Sequence, residues 1–268
     1  MKDIIHFVHG NGFPSPCYRQ FLQALEGRFD CYYIDRVGHL NQQPVSDNWQ
    51  SLVDELIDAI KTEVKGPVIG VGHSLGGVLN VLAAIENPQL FKYIVLLDSP
   101  MMGRFKSRII KLSKLVGVID RVTPAWRTRG RRTHWKMRDQ ALSYLKSKAL
   151  FSTFTDACLN DYIDYGMEKT KDGYALRFDS RIEYQIYRTI PHAMYELEGQ
   201  LNVPTALIYG RESHLIDSPT LRYMKKQYGV INYPIEGTHM FPMEHPEEAA
   251  ALVIKAIDDF NRTEGLRR

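Results

Sequence analysis

Val68-Ile69-Gly70-Val71-Gly72-His73-Ser74-Leu75-Gly76-Gly77-Val78-Leu79 is the stretch that decides the fold. An apolar run ends at Gly72, and a small-residue, helix-like run opens after Gly76, so Ser74 stands on a strand-to-helix turn. A turn that sharp strains the backbone of the serine. It also brings flanking backbone so close that the positions two residues either side must be very small, which Gly72 and Gly76 satisfy. The hydroxyl is thereby pushed outward, the placement a nucleophile needs. Gly70-Val71-Gly72 does not open a dinucleotide fingerprint, because G-x-G-x-x-G would need glycine where Leu75 stands. No cofactor is implied.

Outward from this turn, apolar runs alternate with helical patterns. Strands are predicted at 4–8, 31–35, 68–71, 93–97, 205–209 and 230–235. Trp49, Leu52, Val53, Leu56, Ile57 and Ile60 recur at helical spacing over 48–64, with Asp47 as the expected N-cap. A further helix is predicted from Ser15 to Gly27, and a last one behind Pro246. Such alternation predicts an α/β fold with a mostly parallel sheet. Residues 100 to 195 interrupt it.

Two more segments carry chemistry. His9-Gly10-Asn11-Gly12-Phe13-Pro14 follows the first strand, and Glu236-Gly237-Thr238-His239-Met240-Phe241-Pro242 precedes the last helix. Together with the serine turn they make the chain resemble the α/β-hydrolase superfamily, in its serine-nucleophile, esterase- or lipase-like branch with a helical cap. The resemblance runs from residue 3 to about residue 260. It implies a hydrolase core at 1–99 and 196–268 with a cap inserted at 100–195, and a sheet shortened at its N-terminal edge, since the chain starts at the strand that carries the His-Gly loop.

The resemblance also implies roles. Ser74 would be the nucleophile, His239 the catalytic base, and the backbone N–H groups of Asn11 and Leu75 the oxyanion hole. His9 and His73 read instead as packing and hydrogen-bonding residues of their own turns, and His245 as a helix-start residue. The acid is open. The family's commonest position for it falls on Ser213, which has no carboxylate. Asp98, at the carboxyl end of the strand beside the nucleophile's strand, comes first; Glu212 is the alternative and Asp217 a third choice. The implied activity is hydrolysis of a carboxylic ester or thioester with a hydrophobic acyl part. Carbon–carbon bond hydrolysis, cofactor-free peroxidase chemistry and a receptor-like binding module remain alternatives on the same residues.

Length and composition agree with one soluble α/β domain carrying one insertion. The chain has 268 residues, 44% hydrophobic and 24% charged, with net charge +3. No apolar stretch approaches the ~20 residues a membrane helix needs, and Met1-Lys2-Asp3 runs straight into a strand, so the expected location is cytoplasmic. Cys17, Cys31 and Cys158 lack paired spacing and read as small buried residues rather than as disulfides or metal ligands. No nucleic-acid partner is indicated. Residues 104–148 hold fourteen basic residues against Asp120 and Asp139. Two readings stand for them: a solvated cap exterior, or a face for an anionic substrate, acyl carrier or membrane surface. Trp126, Trp135, Phe151, Phe154, Tyr162, Tyr165, Tyr184 and Tyr187 of the same region are expected in the cap core or along an acyl pocket.

Overall fold

The computed structural model describes residues 2–40 and 44–266. Strand β1 (Ile4–Val8) leads through a 3₁₀ turn, Ser15–Tyr18, into α1 (Arg19–Glu26) and β2 (Asp30–Tyr33). Helix α2 (Gln50–Glu63), β3 (Val68–His73), α3 (Leu75–Glu86) and β4 (Phe91–Leu97) follow. The chain then leaves the sheet for α4 (Arg104–Leu115), α5 (Ile119–Val122), α6 (Ala125–Thr128), β5 (His134–Trp135), α7 (Arg138–Lys146), α8 (Asp156–Gly166), β6 (Met167–Thr170), β7 (Gly173–Leu176) and α9 (Ser180–Arg188). It returns in β8 (Thr205–Gly210), α10 (Ser218–Tyr228), β9 (Ile231–Ile235), α11 (Phe241–Glu244) and α12 (Pro246–Gly265).

The main sheet has six strands in the order β2-β1-β3-β4-β8-β9, and every neighbouring pair is parallel. Its central strands read as continuous apolar runs because both faces are covered. Alternation still sorts the side chains: Tyr93, Val95 and Leu97 of β4 join a cluster with α1 and α12, while Ile94 and Leu96 join α2, α3 and α10. β2 is the edge strand on one side and β9 on the other. Among the described residues no helix is long and apolar enough to cross a membrane.

Two local expectations need correction. Asp47 does not cap α2; its carboxylate pairs with Lys114. Ser46 does the local work, its Oγ accepting the Ser51 N–H at 2.8 Å while Ser51 Oγ accepts the Ser46 N–H at 3.0 Å. Two hydroxyls here satisfy each other's backbone donors, which leaves the Asp47 carboxylate to pair elsewhere. The region 104–188 is also not purely helical, since β5, β7 and β6 form a separate antiparallel sheet. Strands of two to four residues leave no periodicity to read.

Hydrogen bonds tie this insertion to loops at the carboxyl edge of the main sheet. Arg177 donates to Asp35 at 2.7 Å, and Asn11 Nδ2 to the Glu183 carbonyl at 3.1 Å. Thr153 donates to Glu244 at 2.6 Å. Trp135, Phe151, Phe154 and Tyr162 are buried, whereas Trp126 is exposed. Cys17 and Cys158 are buried, Cys31 partly so, and all three are free thiols.

Candidate active site

β3 delivers Ser74 into the turn before α3 with φ 52° and ψ −111°. A non-glycine residue held at such angles costs about 1–3 kcal/mol and persists only where its surroundings over-determine it. The surroundings do so. A Cβ on Gly72 would lie 2.3 Å from the Gly76 carbonyl carbon, and one on Gly76 would lie 2.0 Å from the Val8 oxygen. The Ser74 N–H is fixed by the Leu97 carbonyl at 2.9 Å. The N-terminus of α3 points its unpaired N–H groups at the same place, favouring negative charge there.

One strand over, β4 runs in register with β3, His73 facing Leu97, so Asp98 lies beside Ser74 at the carboxyl edge. Asp98 also has positive φ, 46°, and is fully buried. Its Oδ1 accepts the Gly210 N–H at 3.0 Å, and its Oδ2 accepts His239 Nδ1–H at 2.8 Å and the Ser213 hydroxyl. The structure therefore brings His239 to Asp98. With Nδ1 carrying the proton, Nε2 of His239 is left as the ring's acceptor. The Glu212 side chain is exposed and, among the described residues, makes no hydrogen bond or ion pair; only its backbone N–H is used, by Gly237. Asp217 caps α10 through the Thr220 N–H at 2.8 Å and pairs with Lys106. His245 stands at the start of α12.

The other two histidines of the motifs are structural, and their partners set their tautomers. His9 Nε2 accepts the Val37 N–H at 2.8 Å while Nδ1–H donates to the Gly10 carbonyl at 2.8 Å; burial lowers its pKa to about 4. His73 Nε2–H donates to the His239 carbonyl at 2.9 Å, so its Nδ1 accepts from the Tyr18 hydroxyl at 2.7 Å. Tyr18 in turn accepts the Gly10 N–H at 3.2 Å. Burial first, then the neighbouring His239, hold the His73 pKa well below its ordinary value, so His73 sits neutral under the His239 ring, centroids 4.7 Å apart.

This chain of bonds joins the His-Gly loop, the serine turn and the His239 loop. Sequence reasoning missed Tyr18, for which no local pattern exists. It also missed Glu244, whose buried carboxylate accepts the Thr238 N–H at 2.7 Å and the Thr238 hydroxyl at 2.6 Å, pinning the residue before His239. At the other loop, Phe13 N–H bonds to the Gly10 carbonyl at 3.1 Å with Gly12 at φ 85°, a tight turn with Asn11 at its corner. Among the described residues no acceptor takes the N–H of Asn11 or of Leu75.

A parallel sheet that feeds a strained serine into a helix N-terminus is the architecture of the α/β hydrolases. Residues 7–252 match the model of the alpha/beta hydrolase family, and the chain belongs to that family; it is a hydrolase. It is 26% identical over 265 residues to an uncharacterized hydrolase, YugF, of Bacillus subtilis (strain 168), with 94% of this chain and 88% of that one covered. Its fold is similar to the crystal structure of E-2-(acetamidomethylene)succinate hydrolase, with a TM-score of 0.77 at 20% identity over 96% of this chain and 92% of that one. The thioesterase domain from the curacin biosynthetic pathway gives a TM-score of 0.73 at 16% identity, over 94% and 91%.

Proposed function

We propose that this hydrolase cleaves a carboxylic ester or thioester with a hydrophobic acyl part through a Ser74-His239-Asp98 triad. Ser74 Oγ attacks the carbonyl as His239 Nε2 takes its proton, and the oxyanion forms against the N–H groups of Asn11 and Leu75. His239 returns the proton to the leaving oxygen or sulfur. Water, deprotonated by the same nitrogen, then attacks the acyl-enzyme and releases Ser74. Asp98 holds the imidazole in the Nδ1–H tautomer and stabilises its cation. The observation that carries the reading is the 2.8 Å bond from His239 Nδ1 to the buried Asp98, set beside a serine at φ 52°.

The insertion at 100–195 acts in this reading as a cap. Phe13, next to the Asn11 corner, packs on Phe151 and Tyr162 with ring centroids 5.8 and 5.1 Å apart, an apolar wall suited to an acyl chain. The likeness to a thioesterase domain fits the same substrate class.

The test is a fluorophosphonate probe followed by a panel of p-nitrophenyl esters and acyl thioesters of increasing chain length. Stoichiometric labelling at Ser74 is expected, with turnover that rises with acyl length. Ser74→Ala should lose at least about 1,000-fold in kcat with the fold intact. Absence of labelling and of turnover, with ligand retained, marks a binding module instead.

A second reading places a carboxylate on the substrate. Arg131 of the insertion is paired with Glu183, whose carboxylate packs on Gly12, yet Arg131 Nε and Asn11 Oδ1 are buried without hydrogen-bond partners. A substrate acid group would satisfy Nε, and the fold relative named for a succinate derivative fits that chemistry. Preference for dicarboxylic half-esters over neutral esters in the same panel would establish it.

A further inference from the structure

Helix α4 presents its large apolar residues to solvent. Its buried positions are Ser107, Ile110 and Ser113, whereas Phe105, Leu112 and Leu115 are 77%, 60% and 75% exposed. Phe105, Ile109, Leu112 and Val116 follow one another at spacings of four, three and four residues, so they line a single stripe. A surface helix ordinarily turns such a stripe toward the core. Here two serines and a single isoleucine face in, while the other large apolar residues face out. Of the fifteen large apolar side chains exposed among the described residues, seven fall between 105 and 126, a concentration that marks an interaction surface rather than ordinary scatter.

Charge selects the partner. α4 contains no acidic residue, and its exposed Arg108 and Lys111 form no ion pair among the described residues. Arg104, at the start of the helix, is paired with Glu198 but remains largely exposed. A second copy of the chain docking stripe to stripe about a two-fold axis would set Arg108 and Lys111 against their own equivalents, which repel. An anionic partner is attracted. The stripe is also the convex surface of one helix rather than a groove, the form that lies in a lipid interface with apolar residues inserted and Arg and Lys stems reaching back to the headgroups. We propose that α4 docks the protein on an anionic lipid surface, with Phe105 and Leu112 entering the acyl boundary and Arg108 and Lys111 meeting headgroup phosphates. This docking does not depend on the chemistry at Ser74.

The experiment is sedimentation of the full-length protein with phosphatidylcholine vesicles, with and without phosphatidylglycerol. Wild-type protein should partition to the anionic vesicles and be released by added salt. Phe105→Glu combined with Leu112→Glu, both surface changes that should leave the circular dichroism spectrum unaltered, should weaken partitioning at least about tenfold. Arg108→Glu with Lys111→Glu should weaken it at least about tenfold on anionic vesicles. The proposal is overturned if wild-type protein binds neither vesicle, or if the Phe105/Leu112 double variant binds as tightly as wild type. It is equally overturned if the stripe instead mediates a dimer in sedimentation velocity that Leu112→Glu dissolves, which would assign the face to a second copy.

Discussion

Asp98 accepts three hydrogen bonds on two oxygens while fully buried, and each donor comes from a different segment: Gly210 from β8, Ser213 from the loop after it, and His239. A carboxylate satisfied this completely holds an imidazole in one orientation and one tautomer. Asp98→Asn would present an amide N–H or a weaker acceptor to Nδ1 and free the ring to turn. The expected loss is about 10,000-fold in kcat, as for removal of a triad carboxylate, while Glu212→Gln should keep at least about a tenth of wild-type activity, since its exposed side chain holds nothing. Matched kcat measurements on a water-soluble ester check the pair; the reverse ordering moves the acid to the loop after β8. Ser213→Ala removes one of the three donors but leaves the carboxylate, so a drop of about tenfold or less in kcat at unchanged KM is expected.

At the scale of elements, three loops after β1, β3 and β9 must keep a common register, and Tyr18 and His73 are what join them. The Tyr18 hydroxyl takes the Gly10 N–H and gives its proton to His73, whose other nitrogen holds the His239 backbone. Tyr18→Phe would fill the same volume but leave the Gly10 N–H and His73 Nδ1 buried and unpaired. Each such group costs about 1–3 kcal/mol, so urea unfolding should show a loss of at least about 2 kcal/mol, with kcat lowered because the His-Gly loop and the His239 loop lose their link. The α2 start follows similar logic on a smaller scale: Ser46 and Ser51 exchange hydrogen bonds, and Asp47 is thereby released to pair with Lys114 of α4.

For the whole molecule, pH acts through groups buried in one protonation state. His9 has its pKa lowered to about 4 from the ordinary 6.5 by burial, and His73 is held well below its ordinary value by burial first and then by His239. Below pH 6.5 the unfolded chain binds protons that these folded imidazoles refuse, so both contribute stability that is present above that value and lost as pH falls. Glu55 opposes them: burial raises its pKa to about 7 from 4.5, so the folded state binds its proton first and gains stability as pH falls through that window. Between pH 7 and 5 His9 by itself should cause a decline of about 2 kcal/mol in unfolding free energy, its share of a pH dependence that Glu55 opposes. In His9→Gln that share should vanish, and urea titrations of both proteins at the two pH values measure it; an unchanged decline refutes the assignment.

The features legible in the sequence are those written in neighbouring residues. Gly72, Gly76 and the apolar runs around them specify the serine turn and the parallel strands, because close backbone approach and two-sided burial each demand particular residues at fixed local spacing. Gly12 and the His-Gly run specify the tight corner at Asn11 for the same reason. What joins distant segments was legible only in part, with Asp98 standing first among three candidate carboxylates. Asp98 and His239 stand 141 positions apart, and only the packing of β4 beside β8, with β9 next to β8, decides that Asp98, rather than Glu212 or Asp217, touches the imidazole. Tyr18, Ser213 and Glu244 belong to the same group, since a single hydroxyl or carboxylate carries no periodicity. Periodicity likewise marks α4 as amphipathic without saying which face meets water. That choice depends on what the rest of the chain has left to cover, a property of the assembled molecule and of no segment within it.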